Sequence, residues 1–126
     1  MTTTPNRATG WINVISYDPK SQDDTGISEV HVTEEFTGGL TGTGSARFLM
    51  VTNADGGVYF TGMERFIGII AGRDGSFILR NTGILKEGEV TSEWLVIPGS
   101  ATGGLTGLRG TGGTNPAGYF LDFWFE

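Results

Sequence analysis

Valine, isoleucine, phenylalanine, tyrosine, tryptophan and threonine recur at alternate positions along much of this chain, in runs broken by clusters of glycine, aspartate, asparagine and proline. A period of two is the pattern of a strand with one face buried and the other in water. It predicts strands over residues 11–18, 28–37, 43–52, 57–72, 76–85, 89–97, 105–112 and 119–125. The breaks "NADGG" at 53–57, "RDGS" at 73–76 and "KEGE" at 86–89 supply residues that accept positive φ, so successive strands are expected to pair as antiparallel hairpins. No stretch carries the three-and-four spacing of apolar residues over the roughly ten positions a helix needs.

The expected class is therefore all-β. Such strands can stack as a sandwich or close into a barrel, and closure removes the unpaired edges that invite aggregation. Gly62, Gly68 and Gly72 interrupt the fourth strand, Gly42 and Gly44 open the third, and Gly107, Gly110 and Gly112 punctuate the seventh. Glycines inside strands mark kinks and close approaches, which a small barrel needs at its corners. They favour an eight-stranded antiparallel β-barrel formed by a single domain over residues 1–126, with 1–10 as a flexible N-terminal segment.

The hexapeptide "TGGLTG" occurs at 37–42 and again at 102–107. Neither copy leads into the lysine of a phosphate-binding loop, and a G-x-G-x-x-G reading begun at Gly42 and Gly44 meets Arg47. The flanks of the two copies share nothing further, so both read as strand-entry and kink glycines.

Charge and composition remove several classes of partner. A net charge of -6, with Lys20 and Lys86 as the only lysines, offers no basic face to nucleic acid. The chain has no cysteine and a single histidine, His31, so no disulfide framework, metal site or cofactor is expected. The start "MTTTPNRATGW" lacks the basic and apolar regions of a signal peptide, and no run approaches the roughly 20 apolar residues that span a bilayer. A soluble cytoplasmic protein without a membrane partner is expected.

Parity assigns side chains to the barrel interior, because alternate residues face in and charged ones normally face water. Val30, Val32, Glu34 and Phe36 are expected inside on the second strand, with His31, Glu29 and Glu35 outside. Ala46, Phe48 and Met50 follow on the third strand, and Val58, Phe60, Glu64, Phe66 and Ile70 on the fourth. The fifth strand adds Phe77, Leu79 and Asn81, and the sixth Val90, Ser92, Trp94 and Val96. Glu64, Glu34, Asn81 and Ser92 are thus the polar exceptions in an apolar lining. A carboxyl among hydrophobic neighbours has its pKa raised, which suits Glu64 to acid–base work near neutral pH; Glu34 is a weaker candidate, because a bulge beside Glu35 would swap the two. The alternative is a hydrogen-bonded structural acid in a barrel filled by its own side chains.

The runs "GMERFIGIIAGRDGSFILRNTG" at 62–83 and "WLVIPGSATGGLTGLRGTGG" at 94–113 resemble a family of small bacterial domains of unknown function with the allene oxide cyclase-like barrel. "GRDGSF" and "PGSATGGLTGLRG" are the specific elements, while "GTGSARFLMV" and "YFLDFWF" extend the likeness across the domain. Where members often carry a histidine on the fifth strand, this chain has Asn81 and Thr82. The resemblance implies an eight-stranded barrel and self-association, and no established reaction.

The functional expectation is a barrel that binds a small hydrophobic molecule against Phe36, Phe48, Met50, Phe60, Phe66, Phe77, Asn81 and Trp94. The alternatives are a cofactor-free isomerase or cyclase working in the same cavity through Glu64, and a purely structural or protein-interaction module. The closing strand is apolar on both faces, with Phe120 and Trp124 flanking Asp122 on the outer one, and a covered outer face points to a homo-oligomer, most simply a dimer.

Overall fold

The alternating segments become long strands in the computed structural model, which describes residues 6–22 and 25–126. They are β1 (Asn6–Gln22), β2 (Ile27–Gly38), β3 (Leu40–Thr52), β4 (Val58–Ile70), β5 (Arg73–Lys86), β6 (Glu89–Val96), the two-residue β7 (Thr102–Gly103), β8 (Leu108–Asn115) and β9 (Gly118–Phe125). Each long strand pairs antiparallel with the next, and β1 closes the circle by pairing β9. The result is a closed eight-stranded antiparallel β-barrel, with β7 as a short appendage on β5.

Two of the differences from the expected strand boundaries shape the barrel. Of the segment 1–10, residues 1–5 lie outside the described residues, whereas Asn6 to Gly10 pair in register with Phe123 to Tyr119 and form the seam of the barrel. The seventh long strand begins at Leu108 rather than Leu105, because the chain ahead of it is spent on a plug. Thr102 and Gly103 pair with Ser76 and Gly75, and two backbone bonds, Leu105 N to Thr102 O at 3.2 Å and Leu108 N to Leu105 O at 2.9 Å, fold the chain back. Leu105 is thereby fully buried at one end of the barrel. The first "TGGLTG" does a different job: Gly38, at φ 97°, makes the tight turn from β2 to β3.

The interior divides into two unequal parts. At the plugged end Phe36, Leu40, Phe66, Ile70, Phe77 and Leu79 pack with Leu105, Leu108, Leu121 and Phe123 into one continuous core. Toward the other end only Val30, Val32, Ala46 and Phe48 form a second cluster, with Met50 and Phe60 partly buried against it. Inward glycines make room for rings of adjacent strands: a Cβ at Gly62 would meet Phe48, and one at Gly83 would meet Phe60.

Tyr119 ties the plugged end shut. Its hydroxyl donates to Thr37 O at 2.6 Å and accepts from Leu40 N at 2.9 Å, so β9 is pinned to the β2–β3 turn.

On the outside, Phe120 and Trp124 are half-buried rather than bare. The Arg7 guanidinium lies 4.8 Å from the Phe120 ring centre and binds Asp122 through two bonds of 2.7 and 2.8 Å, so the chain's own first strand covers part of that face. Exposed apolar side chains lie on β1 (Trp11, Val14, Ile15 and Tyr17, the most exposed) and on the outer faces of β3 and β4 (Leu49, Val51, Tyr59, Met63, Ile67 and Ile69).

Candidate functional site

The half of the barrel away from the plug is hollow. A cavity of about 330 Å³ opens there between β1, β2, β3, β4, β5, β6 and β8. Phe48, Met50, Val58 and Phe60 form one wall, and Phe48 and Phe60 meet edge to face with ring centres 5.2 Å apart. Ile12, Val14 and Tyr17 of β1 form the opposite wall, with the Tyr17 hydroxyl 3.5 Å from the Met50 sulfur. Leu85 and Val90 stand at the rim, while Glu34, Asn81, Ser92 and Thr114 supply the polar lining. A second hollow of about 390 Å³ shares Ile12, Val14, Glu34, Val90 and Thr114, and reaches past Trp11 and Glu89 toward solvent.

The floor is built by register. Glu34 on β2 is opposite Gly44 on β3, and Gly44 is opposite Phe66 on β4; Glu64 sits one step along, opposite Ala46 and Leu79. Because Gly44 has no side chain, the Glu64 carboxyl spreads over it toward Glu34. Asn81, whose register partners are Gly62 and Trp94, joins the pair diagonally from β5. Ser92 and Thr114 are paired with each other at 2.7 Å.

Glu64 is fully buried, and its carboxyl is turned toward Glu34 and the Asn81 amide without a well-formed hydrogen bond to either oxygen. Its pKa is pushed well above the usual carboxyl value, first by burial and then by Glu34, which accepts a hydrogen bond from the protonated form and whose negative charge opposes ionisation; the Asn81 amide acts in the other direction. Burial beside Glu34 thus favours the protonated form of Glu64, which can donate to Glu34. Asn81 Oδ1 and Trp94 Nε1 are likewise buried without partners.

The residues singled out from sequence fall into three places. Phe48, Met50, Phe60, Asn81 and Glu34 line the cavity. Glu64 and Trp94 lie beneath it, Trp94 stacked on Tyr119 with ring centres 5.7 Å apart. Phe36, Phe66 and Phe77 do not line it: they are packed into the plugged core, Phe36 against Phe66 at 5.3 Å and Phe66 against Phe77 at 5.0 Å, because the Leu105 plug closes their end of the barrel. His31 faces outward and its Nε2 lies 3.2 Å from Glu29.

Sequence reasoning missed the β1 wall. The β1–β2 ladder carries irregularities between Val14 and Ser16 and between Pro19 and Ser21, and the first of these turns Tyr17, rather than Ser16, toward the cavity. Parity assumes an unbroken alternation, and no residue in "NVISYDPKS" announces where it breaks. Thr114 was missed because the seventh strand was placed three residues early. Among the described residues, no group of three or more His, Cys, Asp or Glu side chains is arranged to hold a metal ion, and no helix is long and apolar enough to cross a membrane.

Residues 8–125 match the sequence profile described as "Protein of unknown function (DUF3224)". The chain belongs to the DUF3224 family. A solved structure of a DUF3224 protein of unknown function from Shewanella oneidensis MR-1 is 27% identical, covers 97% of this chain and 98% of its own length, and superposes with a TM-score of 0.80. A search of curated proteins gave no match. The family match and the structural match each cover nearly the whole barrel.

Proposed function

We propose that this protein binds a small, largely apolar molecule in the open half of its barrel. The observation that carries the proposal is the hollow of about 330 Å³, walled by Phe48, Met50, Phe60 and Val14 over a floor with few polar groups. Small-molecule sites are concave, mostly apolar and begin at roughly 300 Å³. A purely structural barrel of this size would be expected to fill both ends with side chains, and here only the plugged end is filled. Native mass spectrometry of protein purified from its host should reveal a retained small molecule that is lost on unfolding. Protein that is mass-clean, and that binds no member of a diverse set of small apolar compounds, would overturn the reading.

A second reading, a cofactor-free isomerase or cyclase in the same cavity, is favoured by one observation: a fully buried carboxyl, its pKa raised, turned over Gly44 toward a second carboxyl that lines the cavity. Such a pair can pass a proton to or from a bound molecule through Glu34. The consecutive-strand barrel also supports assignment to the allene oxide cyclase-like type. For the assembly we propose a cytoplasmic homodimer, supported by the exposed Leu49, Val51, Tyr59, Met63, Ile67 and Ile69 on the outer faces of β3 and β4.

A further inference from the structure

Hydrogen-bonding capacity at the cavity floor is strongly one-sided. Among the described residues Glu64 Oε1 and Oε2, Asn81 Oδ1 and Trp94 Nε1 are buried without partners; Glu64 is turned to Glu34 and Asn81 and, like Trp94, does not line the cavity, so what faces the cavity is the acceptor Asn81 Oδ1 beside the Glu34 carboxylate. The hydroxyls nearby are already engaged: Ser92 with Thr114 at 2.7 Å, and Tyr119 with Thr37 and Leu40. Asn81 is only 7% exposed, lines the cavity and still leaves its Oδ1 unpaired.

Charge is one-sided too. Among the described residues, the charged ones around the two adjoining hollows are Glu34 and Glu89, and no lysine, arginine or histidine lines either. A neutral apolar guest would strip water from Glu34 and return nothing, which is costly. An anionic guest would add repulsion. A metal ion would need more oxygen ligands than one carboxylate and one amide supply.

We propose that the molecule held in this cavity is an organic amine, its protonated amino group on Glu34 and Asn81 and its apolar body along Phe48, Met50 and Phe60. This rests on the reading of the cavity as a binding site. An ammonium group carries three donors and no acceptor, which matches the imbalance of the floor. The Phe48 and Phe60 rings, and Tyr17 across from them, offer apolar contact to the body of the amine. Glu64 has no surface on the cavity and acts as a positioning residue: its proton, shared toward Glu34, keeps the acid pair at a single negative charge, matched to a single positive one. The other groups packed around Glu64 are Ala46 and Gly44 on β3 and Leu79 and Asn81 on β5, none of which titrates.

The test is an NMR titration of the whole protein at pH 7 with hexylamine, hexanol and hexanoate, which share one apolar body. Hexylamine should bind at least about tenfold more tightly than hexanol, and hexanoate most weakly. Glu34→Gln should erase the preference for the amine while leaving hexanol binding in place, whereas Glu64→Gln, which mimics the protonated acid, should keep it. Hexanol binding as tightly as hexylamine would overturn the amine assignment and leave the cavity reading standing, as would a Glu34→Gln protein that still prefers the amine. Binding of none of the three would overturn both. The wild-type series decides the question even if a variant fails to fold.

Discussion

The Glu64 carboxyl occupies the space in which a side chain at Gly44 would begin: a Cβ at position 44 would collide with Glu64 Oε2 and would stand 2.8 Å from the Phe36 ring. The absent side chain on β3 lets an acid of β4 reach across one strand toward Glu34 of β2. An apolar barrel core thus holds two carboxyls at the boundary between its packed and hollow halves.

Gly44→Ala should therefore destabilise the fold by about 1–3 kcal/mol, the usual cost of an added methyl group in a filled site. Urea denaturation will show it. In a Glu64→Ala background the same substitution should cost clearly less, since the main obstruction is gone; equal costs in the two backgrounds would mean that the contact does not set them.

Stability should depend on pH through Glu64. Its folded pKa lies above its unfolded value, so the folded state binds the extra proton, and stability falls as pH rises from the unfolded value, about 4.3, to the folded one. The slope within that window can reach about 1.4 kcal/mol per pH unit. Glu64→Gln cannot lose a proton, so its stability relative to wild type should grow across the window and then level off. Parallel curves for the two proteins between pH 4 and 8 would contradict the assignment.

The two ends of the barrel should respond differently to the same truncation. Phe77→Ala removes a fully buried ring from the plugged core and should cost about 3–5 kcal/mol. Phe48→Ala should cost less than Phe77→Ala, because one side of that ring already faces the cavity, and it should change ligand affinity as well. Equal losses in urea midpoints, at unchanged slope, would argue that the hollow end is packed in solution.

Tyr119→Phe deletes the hydroxyl that accepts from Leu40 N and donates to Thr37 O. The buried Leu40 amide then lacks its partner, and the expected loss is about 1–3 kcal/mol. Amide hydrogen exchange at Leu40 should accelerate in the variant; an unchanged rate would show that the pin is dispensable.

The proposed homodimer should appear in sedimentation velocity at micromolar concentration. Met63→Lys, which adds a positive charge between Arg47 and Arg80 and beside Arg65 on the outer face of β4, should shift it to monomer while the fold survives. A monomeric wild type would sink this proposal.

Much of the architecture was legible because period-two alternation reports both strand and face. It placed Phe48, Phe60, Glu64, Asn81 and Trp94 inward without a coordinate, since a closed barrel has one inside and the β2–β3, β3–β4 and β4–β5 ladders run without a slip. Where the ladder does slip, on β1, the alternation lost its phase, and Ile12, Val14 and Tyr17 were not recognised as cavity wall.

What the sequence determined by itself was the strand pattern, the hairpin order and the burial of an acid among aromatics, all of which are local or depend only on parity. Which end of the barrel is full and which is hollow was decided by tertiary structure alone. Phe36 and Phe66 are indistinguishable from Phe48 and Phe60 in sequence, and they differ because Leu105, brought back by pairing between residues about 27 positions apart, plugs their end. The meeting of Glu64 with Glu34 is of the same kind, since it takes three adjacent strands in fixed register and the missing side chain of Gly44 between them.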